Sequence, residues 1–299
     1  VTIETCYLRG THILTPTGET PVEDLSIGDR VVTRFGGVQN IKWIGRKIFE
    51  TAGLDNGPVR FRPATLGEEM PARDLFVSPR HSMLVGNVLV RASSLLNGAT
   101  ITQDDAPARI EYFQLDLGDH DCVVAEGAWS ETFADAPGLR DMFDNAADFH
   151  ALYPDVPPPE GLTLCAPRPE HGTALYAAMR PVVARAMAGL PPGALRGFVD
   201  LIEHEWVVQG WAQDLDHPEL PVLLEIILEG RLIGTVLACD AREDLRQAGI
   251  GPRSFVFNAP VRLRPDLWPT LQVRRASDGT ALDIAPAISD GAKTLRLVA

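Results

Sequence analysis

From Cys6 to about Thr132, apolar and polar residues alternate in short runs: His12-Ile13-Leu14, Arg30 to Thr33, Val38 to Ile44, Leu75-Phe76-Val77, Ser82 to Val85, Val88-Leu89-Val90, Tyr112 to Leu117 and Cys122-Val123-Val124. A period of two places one set of side chains toward a core and the other toward water, the pattern of half-buried strands. Turn residues punctuate the runs at Pro16-Thr17-Gly18, Gly36-Gly37, Gly86-Asn87 and Asn97-Gly98. The pattern predicts many short strands joined by tight turns, with brief helical turns at Val22 to Leu25 and Ala92 to Leu96.

The period changes in the middle of the chain. Leu139 to Leu152 predicts a helix, which Tyr153-Pro154-Asp155-Val156-Pro157-Pro158-Pro159 must end, because proline lacks a donor and restricts its predecessor. Thr173 to Ala188 is alanine-rich with apolar residues at helical spacing, and Pro181 is expected to kink it or to open a shorter helix. Pro191-Pro192-Gly193 predicts a linker. Alternation returns from Gly197, in Val207 to Ala212 and Leu223 to Leu228, and Glu229-Gly230-Arg231 predicts a hairpin into Leu232 to Ala238. The expected organisation is therefore mainly β: an all-β domain over residues 1–135, a helical and proline-rich connector over 136–195, and a β-sandwich over 196–299.

Composition sets outer limits on this picture. The 299 residues suggest two domains, each large enough for its own core. A composition of 45% hydrophobic and 22% charged residues is that of a globular chain. The formal charge of −13 disfavours nucleic acid or an anionic membrane face as partner, since the general field repels phosphate. The most apolar run, Val222 to Cys239, is interrupted by Glu225, Glu229 and Arg231, so paired strands are expected there and no membrane span. Cys6, Cys122, Cys165 and Cys239 are too scattered for a disulfide scaffold and leave the redox compartment open. No charged segment followed by an apolar stretch opens the chain. A cytoplasmic protein and one whose export signal lies outside this sequence both fit, and a secreted or cell-surface place in a bacterium stays open.

The candidate chemistry begins with Cys6. A thiol there can attack the carbonyl of Thr5 and turn the amide into a thioester, provided that the fold strains the bond and protonates the departing amine. Cys6 stands in Thr5-Cys6-Tyr7-Leu8-Arg9-Gly10-Thr11-His12-Ile13, followed by Pro16-Thr17-Gly18-Glu19 through Gly28-Asp29-Arg30-Val31-Val32, and later by Ser78-Pro79-Arg80-His81. Together these segments resemble a Hint domain, the self-processing module shared by inteins, the Hedgehog C-terminal part and bacterial intein-like proteins. Tyr112 to Gly127 likewise resembles the closing strand pair of inteins.

The resemblance implies an all-β Hint fold and a set of roles. Cys6 is the expected nucleophile at a cleavage site between Thr5 and Cys6. His81 is the expected acid, since imidazole exchanges protons near neutral pH. Ser78 takes the hydroxyl position of the family's Thr-x-x-His motif and is expected to hydrogen-bond the backbone around Thr5. His120 falls on the family histidine of the closing strands and is expected to bind the oxyanion or position water.

Departures from the family pattern narrow the chemistry. Inteins end on His-Asn, and here the place reads Ser130-Glu131-Thr132; Gln114 stands where inteins often carry an aspartate; Ile44-Gly45-Arg46-Lys47 offers no acid to activate a sterol. Splicing and sterol transfer are thus not expected. What remains is thioester formation and release of the N-terminal segment, the chain's own substrate, to water, another small nucleophile or an amine. If the five residues before Cys6 are native, the chain is an uncleaved or truncated precursor. No cofactor or metal is expected, although Cys6, His81, His120 and Cys122 together would offer tetrahedral ligands to zinc.

The second domain contributes less. Gly210-Trp211-Ala212-Gln213-Asp214, Ala241 to Leu245 and Phe255-Val256-Phe257 resemble a β-sandwich appended to bacterial glycosyltransferases and surface proteins. Trp206, Trp211 and Trp268 would stack on sugar rings if exposed, although a place in the core is the commoner fate of tryptophan, so a glycan or protein ligand of this domain is left open. Asp240, Arg242 and Asp244 read as a solvated turn. A non-catalytic surface or adhesion module that keeps the Hint fold as structure is the competing reading.

Overall fold

The computed structural model describes residues 6–51, 53, 55–103, 109–170 and 172–284. The chain forms two compact units, residues 1–170 and 171–299. Segment 136–195, expected as a connector, is divided between them.

In the first unit the strands are β1 (Tyr7–Leu8), β2 (His12–Thr15), β3 (Gly18–Pro21), β4 (Arg30–Val32), β5 (Val38–Asn40), β6 (Trp43–Phe49), β7 (Val59–Phe61), β8 (Leu75–Val77), β9 (Ser82–Val85), β10 (Val88–Arg91), β11 (Ile101–Gln103), β12 (Ile110–Asp116), β13 (Cys122–Ala125) and β14 (Ala128–Glu131). They make two six-stranded sheets, ordered β11-β7-β8-β1-β12-β6 and β10-β9-β14-β13-β2-β3, and a ribbon of β4 with β5. The described pairings of this unit are antiparallel, as expected for short strands joined by tight turns. The β13–β14 hairpin turns on Glu126 and Gly127, with φ of 48° and 86°. Two successive positive φ values suit the right-handed twist of the flanking strands.

Most predicted strands fall where expected, and the differences have physical reasons. Val38 to Ile44, expected as one segment, is two strands. Ile41 donates its N–H to Asp29 O and Lys42 to Asp116 O, so the chain breaks there, with β5 pairing β4 and β6 pairing β12. The helical turns at Val22–Asp24 and Ala92–Leu95 are short 3-10 turns. The helix expected over Leu139 to Leu152 is a 3-10 turn, Arg140–Met142, and a shorter helix α1 (Ala146–Leu152). Phe143 is extended between them, which turns its ring into a buried cluster with Trp43 and Phe133.

The second unit has α2 (Thr173–Met187), β15 (Leu195–Glu203), β16 (Val207–Asp214), β17 (Val222–Leu228), β18 (Arg231–Ala238), α3 (Glu243–Gln247), β19 (Ser254–Asn258), β20 (Gln272–Arg275) and β21 (Asp283–Ile284). Sheets β19-β16-β15-β21 and β18-β17-β20 enclose one apolar core that includes Val199, Val208, Leu224, Ile226, Phe255 and Val273, so the unit is a β-sandwich. Helix α2 runs through Pro181. The predicted hairpin is present, with Glu229 and Gly230 at φ of 50° and 75°. At one end a buried ion pair ties the sheets: Arg275 reaches Asp214 at 2.6 Å and also donates to Gly193 O. Arg242, expected in a plain solvated turn, bridges Asp200 and Asp244. Among the described residues, no helix is long and apolar enough to cross a membrane.

Candidate functional site

The pairing of β1 with β8 sets the site. Tyr7 lies opposite Val77, so the preceding residue, Cys6, lies beside Ser78. Ser78 N–H donates to Cys6 O at 2.9 Å, and Cys6 N–H donates to Ser78 Oγ at 2.9 Å. The amide nitrogen of the expected cleavage site therefore faces a hydroxyl, while Thr5, on the other side of that bond, lies outside the described residues. Ser78 is the residue whose hydroxyl is expected, from the resemblance, to hold this backbone.

Ser78 to His81 form a tight turn closed by His81 N–H to Ser78 O at 3.1 Å and fastened by Ala92 N–H to His81 O and Ser93 N–H to Pro79 O. His81 is thereby held in the core with no exposed surface, its ring edge-on to Tyr7 at 4.6 Å between centroids. Neither ring nitrogen has a hydrogen-bond partner among the described residues. Burial lowers its pKa to about 4, with Glu131 opposing and Arg168 and His120 assisting. At neutral pH the ring is uncharged, with one donor and one acceptor nitrogen.

Cys6 is fully buried. It belongs to the aromatic cluster of Trp43, Tyr112, Phe133, Phe143 and Phe149. Burial raises its thiol well above the ordinary value, against the pull of Lys47.

A residue that sequence analysis passed over joins the histidines. Glu131, at the end of β14, has no exposed surface; its carboxylate accepts Ser82 N–H at 2.6 Å, Arg168 Nη2 at 2.5 Å and faces His120 Nε2 at 3.3 Å. Burial works against its charge, but His120, Arg168 and His81 outweigh it and lower the pKa. Tyr7 adds its hydroxyl, donated to Glu131 O at 2.9 Å, with Ser130 Oγ also at 2.9 Å. The available signal was a lone carboxylate in the uncharged strand Ala128-Trp129-Ser130, at a position the closing hairpin must bury.

Two influences meet at His120. Burial opposes a charge, yet the Cys165 sulfur and the Glu131 carboxylate outweigh it and raise the pKa to about 9. Cys165 N–H, however, donates to Nδ1 at 2.9 Å, which is the geometry of the neutral ring with its proton on Nε2 toward Glu131. A charged ring has to give up that bond. His120 therefore stands between the two states and is tied to Glu131 in both.

The structure thus brings Ser78 to the Cys6 backbone and gathers His81, His120 and Glu131 into one buried electrostatic group. The four-ligand zinc reading does not survive. Among the described residues no three His, Cys, Asp or Glu side chains converge as metal ligands, and Cys6 packs in the aromatic cluster while Cys122 and His120 both turn to Cys165.

The sequence family described as "Hint domain" matches residues 5–137. This stretch is a Hint domain. Domains of this type process their own chain, and the Hint domain here supplies the two six-stranded sheets whose strands hold Glu131 and flank Ser78, His81 and His120. No curated protein matches the chain. Similar solved structures include the bacterial intein-like domain from Clostridium thermocellum, at 15% identity over 43% of this chain and 98% of that one, with a TM-score of 0.32. The AceL NrdHF class 3 split intein shows 18% identity over 42% of this chain and 96% of its own, also at 0.32. The Ssp DnaB mini-intein variant M86 shows 12% identity over 44% and 96%, again at 0.32.

Of the three tryptophans considered for ligand stacking in the second unit, Trp211 and Trp268 are buried and Trp206 is exposed. Trp268 spends its indole N–H on Leu263 O.

Proposed function

We propose that the Hint domain cuts its own chain between Thr5 and Cys6. The Cys6 sulfur bonds to the Thr5 carbonyl carbon, the carbon–nitrogen bond breaks, and the thiol proton ends on the freed Cys6 amine. Water, a small nucleophile or an amine then takes the N-terminal segment from the thioester, and the rest of the chain stays whole. The observation that carries this reading is the seat of Cys6 N–H on Ser78 Oγ, three residues before a buried histidine whose ring nitrogens have no partner among the described residues. Ser78 holds the amide nitrogen out of ordinary backbone pairing, and neutral His81 is free to pass a proton to it as it becomes an amine.

The test is a fusion with a reporter upstream of Val1. The expected product is a fragment beginning at Cys6, released faster with an added thiol. Cys6→Ala should abolish its appearance, and equal cleavage in that variant overturns the proposal.

Two observations favour a second reading, a non-catalytic surface or glycan-binding protein that retains the Hint fold. The Cys6 thiol is buried and its pKa is raised, and Trp206 is left exposed on the sandwich. Complete stability of the wild-type fusion, with and without added thiol, supports this alternative.

A further inference from the structure

The first unit holds a pair of thiols that self-cleavage does not use. Cys122 opens β13 and is fully buried. Cys165 lies in the irregular stretch 153–170, beyond the matched Hint residues, and is only partly covered. Their sulfurs are 3.8 Å apart. The stretch is docked on the Hint strands: Leu89 N–H donates to Pro167 O at 2.8 Å, Cys165 N–H to His120 Nδ1 at 2.9 Å, and Arg168 to Glu131 at 2.5 Å. Cys165 also lines a cleft with Arg34, Phe35, Leu84, Asn87 and Pro167, which gives a small reagent access to it.

The electrostatics divides the labour between the two sulfurs. The contact with Cys122 draws the Cys165 thiol below its ordinary value against the effect of burial, with His120 assisting. Cys122 is itself pushed up, first by that same contact and then by burial. One sulfur is partly exposed and the more acidic, the other is buried and the less acidic, the asymmetry of a thiol pair that reacts in sequence. Cys239 offers no such pair; burial and Asp240 raise its pKa to about 12.

We propose that Cys122 and Cys165 form a redox site that takes oxidising equivalents from a low-molecular-weight disulfide. The Cys165 thiolate attacks one sulfur of the reagent, whose sulfur–sulfur bond breaks and releases one thiolate. Cys122 then attacks Cys165 Sγ, its proton passes to the departing thiolate, and the second thiol leaves. In total two protein thiols are oxidised to one disulfide and one reagent disulfide is reduced to two thiols. A bonded pair stands at about 2.05 Å, so the sulfurs must close by roughly 1.8 Å. Cys165, carried by backbone outside helix and strand, is the partner able to move. The bond fastens stretch 153–170 to β13 beside His120 and Glu131, whether or not the chain cleaves at Cys6.

The full chain is equilibrated in buffers of 2-hydroxyethyl disulfide and 2-mercaptoethanol at graded ratios, acid-quenched, alkylated and digested. The expected result is a Cys122–Cys165 linked peptide that grows with the oxidised fraction, while Cys6 and Cys239 remain alkylated. Cys122→Ser should stop at a mixed disulfide on Cys165, and Cys165→Ser should leave Cys122 unmodified. The proposal is overturned if the folded wild type, judged by its circular dichroism, keeps both thiols free in excess oxidant. It is overturned equally if the Cys122→Ser variant, folded by the same criterion, carries no mixed disulfide on Cys165.

Discussion

His81 spends its burial without return. Both nitrogens lack partners among the described residues, and a buried polar group left unsatisfied costs about 1–3 kcal/mol. Stability alone would prefer an apolar residue here. His81→Leu should therefore match or exceed the wild type in urea midpoint at pH 7 while slowing cleavage of the upstream fusion by roughly 10²–10⁴-fold, the span for a positioned acid or base. A large loss of stability, or an unchanged rate, would contradict the role given to it. The same residue sets a pH signature. Unfolded, it titrates near 6.5; folded, at about 4. Above the upper value both states are neutral and His81 contributes nothing. Between the two only the unfolded chain takes up the proton, so stability falls with pH, by up to roughly 3 kcal/mol. Glu131, with its pKa lowered, contributes stability above the ordinary carboxylate value and loses it as the pH falls further. The wild type should thus weaken in two steps on acidification, and His81→Leu should lack the upper one.

The element that most changes the site lies outside the matched Hint residues. Strand β6 is the edge of its sheet, and the stretch around α1 covers it: Asn145 exchanges hydrogen bonds with Arg46 N–H and Ile44 O, and Asp144 accepts from Ile48 N–H and Lys47. Phe143 packs against Gly45, where a side chain would meet its ring. Arg140 lies 3.5 Å over the Phe149 ring and pairs with Asp116 and Asp135. This cover completes the cluster that buries Cys6. Arg140→Ala should cost about 3–5 kcal/mol, because it strands the buried Asp116 carboxylate; Asp116→Asn in the same chain should recover part of that loss in a double-mutant cycle measured by urea unfolding. A loss that is fully additive would place the stabilisation in packing alone. None of this was legible in the helix expected over Leu139 to Leu152, since its pattern reports apolar residues and not the partners they find. Phe143 leaves the helix because the aromatic cluster draws it in, and Asn145 and Asp144 spend their polar groups on an edge strand. By contrast the β12 and β17–β18 strands, and the turn at Glu229-Gly230, were readable because alternation and turn chemistry act locally.

At the scale of the molecule, the two units reflect the two stretches of alternation, and the residues around Cys6 and Ser78 were legible because a motif fixes both identity and spacing. Cys165, Arg168 and Glu131 were not, since their meeting depends on a long return of the chain that no local pattern encodes. That return bears on how far processing goes. An intein's second cut needs a side-chain amide that cyclises, and here the place holds Glu131 and Thr132. Glu131 is committed to Ser82, Arg168 and His120. Thr132 donates its hydroxyl to Asp121 O and accepts Asp121 N–H. Neither can supply the missing nucleophile to its own backbone without breaking buried bonds. If the chain cleaves before Cys6, it should stop there, leaving one polypeptide from Cys6 to Ala299. A fusion with reporters on both sides, followed by intact-mass analysis, checks this. The expected products are the free upstream reporter and one downstream species. A joined reporter pair, or a free fragment beginning near Glu131, would show that a second bond breaks by a route other than amide cyclisation.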